Sequence, residues 1–168
     1  MTRPGPGIYI NDVEIIEQHL HANQLCFGRN IATGFLQQDS LTSFQFVSGV
    51  GGAWGTEYQL YNGAYGSGYR FDCDKVLVTG IQRTGDLYCV EFFAGSGAFG
   101  TATLICGFYF LSLTATFRGG ETLMRSPRVR CDYNMWAKCK CANAGASTID
   151  MVFMAHMYPG TTGPDFPP

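Results

Sequence analysis

Charge is what this chain has least of. Only 14% of its 168 residues are Asp, Glu, Lys or Arg, and the formal net charge is −2, against about a quarter charged in an ordinary soluble domain. The cations form no basic stripe, which argues against electrostatic binding of nucleic acid. The one local excess, Arg125, Arg128, Arg130, Lys138 and Lys140, reads as a solvated strand face. No run of about 18 apolar residues is present, so no membrane-spanning helix is expected. Thr103–Phe117 comes nearest, but it is short, broken by Gly107 and rich in β-formers. Met1–Gly7 lacks the apolar stretch of a secretory signal, so assembly in the cytosol is expected.

The signatures of catalysis are also missing. Cysteine occurs seven times, an odd number, with no Cys-x-x-Cys knuckle. A disulfide framework is therefore disfavoured, and buried reduced thiols are expected. His19 and His21 have the spacing of two ligands on one strand, but the third His and the Glu of a cupin-type metal set do not follow them. Gly66-Ser67-Gly68 and Gly95-Ser96-Gly97 are not nucleophile elbows, which need Gly-x-Ser-x-Gly between a strand and a helix. The glycine-rich Ser48–Gly55 lacks the Lys-Ser/Thr end of a phosphate loop and reads as turn material. Asp72 and Asp74 would share one strand face, and Glu91 is expected to be buried and paired, with Arg128 or Arg130 as partner. Neither forms a convincing acid–base pair. The expectation is a protein without enzymatic activity, cofactor or metal.

What is present in quantity is aromatic and glycine: 13 Phe, 9 Tyr, 2 Trp and 22 Gly. That mixture suits short strands joined by tight turns. Alternation is plain in Phe44–Val50 and Thr56–Gly63, and Asp86–Gly95 and Thr148–Tyr158 read as further strands. Gly107 is expected to mark a β-bulge. About eight closely spaced strands, with no parallel crossover pattern, predict an all-β fold: a two-sheet antiparallel sandwich, jelly-roll-like. Residues 1–7 read as an extended N-terminal arm, 8–158 as one sandwich domain and 159–168 as a Pro/Gly-rich tail. Both ends are expected to be flexible, and residues 13–22 fit helix or strand equally.

The stretch Arg130–Ala142 (RCDYNMWAKCKCA) concentrates three cysteines. Strand phase puts Met135, Ala137, Cys139 and Cys141 on one face, and Trp136, Lys138 and Lys140 on the other. The thiols thus share a core face, and the Trp-x-Lys-x-Lys face becomes a candidate contact surface. Trp54, Tyr58, Tyr61, Tyr65 and Tyr69 form an aromatic string that reads as loop and interface packing, with a stacking platform for sugars as the alternative. The contact candidates are Trp54, Tyr61, Tyr65, Trp136, Lys138 and Lys140. His156 is expected on the outer face of an edge or covered strand.

Two segments, DLYCVEFFAGSGAFGTATLICGFYF (Asp86–Phe110) and SPRVRCDYNMWAKCKCANAGASTIDMVFMAHMYP (Ser126–Pro159), together resemble the β-sandwich structural proteins of tailed bacteriophage particles. Jelly-roll capsid decoration (cement) proteins are the nearest group. The resemblance implies a virion protein, assembled in the host cytoplasm, that sits on the outside of the head shell, often as an oligomer. It would clamp the major capsid protein or other virion proteins and carry no catalytic residues. The alternative is a carbohydrate- or receptor-binding module of a phage tail or fibre.

Overall fold

The computed structural model describes residues 24–29, 36–38, 42–63, 69–112, 121–123 and 126–159. Every regular element among them is a strand, apart from two single 3₁₀ turns. Eleven strands are present: β1 (Gln24–Arg29), β2 (Leu36–Gln38), β3 (Phe44–Val47), β4 (Tyr58–Asn62), β5 (Tyr69–Ile81), β6 (Leu87–Gly95), β7 (Thr103–Leu111), β8 (Glu121–Leu123), β9 (Val129–Arg130), β10 (Asn134–Cys141) and β11 (Thr148–Pro159). The excess over eight includes β1, for which the sequence shows no clear strand signal, and the short pieces β2, β8 and β9, which carry too few residues to show alternation. The arm 1–7, the ambiguous 13–22 and residues 160–168 lie outside the described residues. Pro159, expected in the tail, is instead the last residue of β11 and pairs with Tyr69.

The strands form two antiparallel sheets stacked as a sandwich, jelly-roll-like in architecture. The larger runs β2-β1-β11-β5-β8, with β3 also on β11 and β9 also on β5; the smaller runs β4-β10-β6-β7. β11 organises the larger sheet, because its long alternating run pairs with β5 on one side and with β1 and β3 on the other. Its inward residues Ile149, Met151 and Phe153 meet Val90, Phe92, Ala137 and Cys139 of the smaller sheet in one core. The Phe153 ring stands edge-on to Phe92 at 5.4 Å and tilted against Phe44 at 5.6 Å. Each such large side chain, fully buried, contributes roughly 1.5–3 kcal/mol.

Four extra residues bend the ladders. The pairing of β10 with β4 jumps from Met135–Tyr61 to Trp136–Gln59, which leaves Leu60 as the inserted residue. Ile105 is inserted in β7 opposite the Phe92–Phe93 step, and Asp74 and Thr79 are inserted in β5. The bulge expected at Gly107 is thus at Ile105. Gly107 itself is regularly paired with Glu91; a Cβ there would lie 3.0 Å from the Val90 carbonyl oxygen, so close approach accounts for the glycine.

Candidate functional site

The outer face of the small sheet gathers the most unusual side chains of the molecule. Alternation along β10 turns Trp136, Lys138 and Lys140 to this face, and register places Phe93, Glu91 and Cys89 of β6 beside them in that order. The Lys138 ammonium lies 3.5 Å from a Glu91 carboxylate oxygen. It also lies 4.6 Å from the Trp54 ring centroid, 4.6 Å from Phe93 and 6.0 Å from Phe99. Lys140 sits 4.5 Å from the same Trp54 ring. Cation–π contacts of this kind contribute about 0.5–1 kcal/mol where exposed and ~2 when desolvated. The Glu91 partner is therefore Lys138, directly opposite across the ladder, and not Arg128 or Arg130. Arg130 instead makes a two-point ion pair with Asp132.

Backbone geometry delivers Trp54 to this face. Gly51 and Gly52 turn the chain at positive φ, a conformation that favours glycine. The Gly55 N–H then donates to the Cys139 carbonyl at 2.8 Å, tying the loop to β10. A Cβ on Gly55 would run into the Val47 carbonyl. The same loop and β3 enclose a cleft of about 410 Å³, lined by Phe46, Val47, Ser48, Trp54, Glu57 and Tyr58 among others. Ser48–Gly55 is thus more than turn material: it builds one wall of the cleft.

Of the six contact candidates, the structure brings Trp54, Lys138 and Lys140 together. Trp136 shares their face but is only 6% exposed, covered by the 3₁₀ turn whose Phe99 ring is 6.1 Å away. It cannot serve as an open contact residue. Tyr61 is 4% exposed and belongs to the core; its hydroxyl donates to the Cys131 carbonyl. The Leu60 bulge reverses the phase of β4 and turns Tyr61 inward. Tyr65 lies outside the described residues. The aromatic string does not line up as a platform, because Tyr58 packs edge-on against Phe44 and Phe46.

The thiols occupy the core face that strand phase assigns them. Cys139 and Cys141 are fully buried beside Met135 and Ala137, and Cys73, Cys89, Cys106, Cys131, Cys139 and Cys141 are free thiols. Burial pushes the Cys139 thiol up to about 12, with the neighbouring thiols Cys141 and Cys89 adding to the rise. Burial first, then the Asp132 carboxylate, raises Cys131 to about 12. Burial alone does the same for Cys106. Such groups are protonated and inert at neutral pH. Among the described residues no three His, Cys, Asp or Glu side chains cluster as metal ligands; His19 and His21 lie outside them. His156 is on the outer face of β11, an inner strand, and its Nδ1 is 3.0 Å from Asp72 Oδ1.

One further feature went unread in the sequence. Leu87, Leu104 and Leu111 are about half-exposed, and Tyr109 is 64% exposed. All four are on β6 and β7, at the end of the small sheet farthest from Trp54 among the described strands. The only available signal was a strand, TLICGFYFL, with no charged residue. No protein-family model matches the chain, and no curated protein matches its sequence significantly.

Proposed function

We propose that this chain is a non-enzymatic structural protein of a virion, a decoration protein that binds the outside of a phage head shell and stabilises it. The observation that carries the reading is the placement of exposed apolar side chains on two opposite flanks of one sandwich. Val47 and Val50 are exposed beside the cleft at the β3–β4 flank, and Leu87, Leu104, Tyr109 and Leu111 at the β7 flank. A subunit that bridges neighbours needs two such surfaces, and modest contacts repeated over a lattice gain strength by avidity. Low charge and aromatic richness suit contacts that stay closed. Inward, protonated thiols suit assembly in a reducing cytoplasm. The test is to mix purified protein with shells lacking it. Saturable co-sedimentation and a higher shell melting temperature are expected; no binding to any shell lattice, or a location at the tail tip, sinks the proposal.

The second reading, a carbohydrate- or receptor-binding module, draws on the cleft beside Trp54, whose volume falls in the range of small-ligand sites. A glycan array separates the two, since a decoration protein shows no selective signal there.

A further inference from the structure

We propose that Asn62 is a site of slow self-modification, where its side-chain amide closes onto the Gly63 backbone nitrogen and is lost as ammonia. The inference is independent of what the chain binds. Of the chain's asparagines, only Asn62 is followed by glycine, and asparagine is among the chemically labile residues.

The fold holds this pair in place. β4 ends at Asn62, which is exposed and pairs with Asn134 of β10. Gly63 then turns the chain at a φ of +74°, in the left-handed region that favours glycine. A Cβ at this position would lie 2.6 Å from the Asp132 carbonyl oxygen. Packing therefore keeps position 63 free of the side chain that would shield its nitrogen from attack.

Two other asparagines supply the contrast. Asn134 Nδ2 donates to the Gly97 carbonyl at 3.0 Å. Asn143 Nδ2 donates to an Asp86 carboxylate oxygen, while its Oδ1 accepts from the Gly145 N–H and from Arg83. Those amides must break hydrogen bonds before they can turn onto the main chain, and Met135 and Ala144 follow them with side chains. Asn62 instead sits at the last position of its strand, and strand ends open at low cost.

The step needs neither oxidant nor reductant. The Gly63 nitrogen gives its proton to hydroxide, and its electron pair forms a bond to Asn62 Cγ. The Cγ–Nδ2 bond breaks, and the amide leaves as ammonia. Water then opens the cyclic imide at either carbonyl, to aspartate or isoaspartate. Either product adds a negative charge to a chain of net charge −2, a covalent change of the kind that alters local electrostatics. Isoaspartate also adds a methylene to the main chain where Gly63 is packed on Asp132, which loosens the end of β4 from β10.

The experiment incubates the folded full chain at body temperature and mildly alkaline pH, beside Asn62→Ser and beside wild type in urea. Isoelectric focusing is expected to show a shift of one charge growing in the folded wild type and not in Asn62→Ser. Peptide mapping is expected to find isoaspartate at position 62, with Asn134 and Asn143 intact. Amide exchange at Tyr61 is expected to be faster in the aged protein than in the fresh. A folded chain still unmodified when the urea-unfolded chain has converted, conversion at Asn134 or Asn143 ahead of Asn62, or an acidic shift that persists in Asn62→Ser overturns the inference. Unchanged exchange at Tyr61 overturns the loosening of β4.

Discussion

Alkali should unfold this protein through its cysteines. Cys106, Cys131 and Cys139 are each raised by burial from an ordinary 9.0 to about 12. In the folded state they stay protonated at pH 10, whereas in the unfolded chain about nine-tenths of each is thiolate. The unfolded state thus binds fewer protons, and stability falls as pH rises above 9. Integrated from pH 8 to 10, each thiol costs about 1.4 kcal/mol, roughly 4 kcal/mol for the three. That is a large share of a typical 5–15 kcal/mol. Cys89, also raised by burial, acts in the same direction. The assay is urea unfolding at pH 8, 9 and 10 under reductant, and comparison with Cys139→Ala separates the thiol's share from that of tyrosine, whose ordinary pKa of ~10 falls in the same range. Cys139→Ala should lower stability at pH 8 and reduce the fall between pH 8 and 10 by about 1.4 kcal/mol. A fall below ~1 kcal/mol in the wild type, or an unchanged fall in Cys139→Ala, would refute the reasoning that desolvated thiols line this core.

Three further perturbations test separate parts of the structure. Gly55→Ala drives a Cβ into the Val47 carbonyl and should cost about 2–3 kcal/mol in chemical denaturation while shifting tryptophan emission, because the Trp54 loop must leave β10. Lys138→Met removes the ammonium from Trp54 and Phe93 and leaves Glu91 without its lysine; a loss of ~1–2 kcal/mol is expected, and a thermal midpoint equal to wild type would show that the cluster contributes nothing. Tyr88→Phe deletes a hydroxyl that donates to the Arg83 carbonyl and bonds the buried Ser147, with an expected cost of ~1–2 kcal/mol and faster amide exchange around Ser147.

The fold was legible where apolar side chains recur at every second position. β11 puts Ile149, Met151, Phe153 and Ala155 on the core, although Val152 and His156 on its other face are buried too, and the Met135–Cys141 phase places four inward side chains correctly. Legibility ended at inserted residues and at cover supplied from elsewhere in the chain. The extra Leu60 is chemically ordinary, so nothing in TEYQLYNG announces that Tyr61 changes face. Trp136 has the outward phase its neighbours imply, yet it is buried because Phe93 and Phe99, distant in sequence, cluster over it. The Glu91 partner was misassigned for a related reason: the choice among five nearby cations depends on strand register, and register puts Lys138 opposite it. The apolar β7 flank has no residue-level signature beyond missing charge, and only the sheet order places β7 last in the small sheet among the described residues.

The measurement that bears most directly on the decoration role is electron cryomicroscopy of shells assembled with and without this chain. The account predicts added density of one sandwich per site on the outer shell surface, with the β3–β4 flank, marked by Val47, Val50 and Trp54, against the lattice. Shells identical with and without the protein, or density confined to the tail, would contradict it.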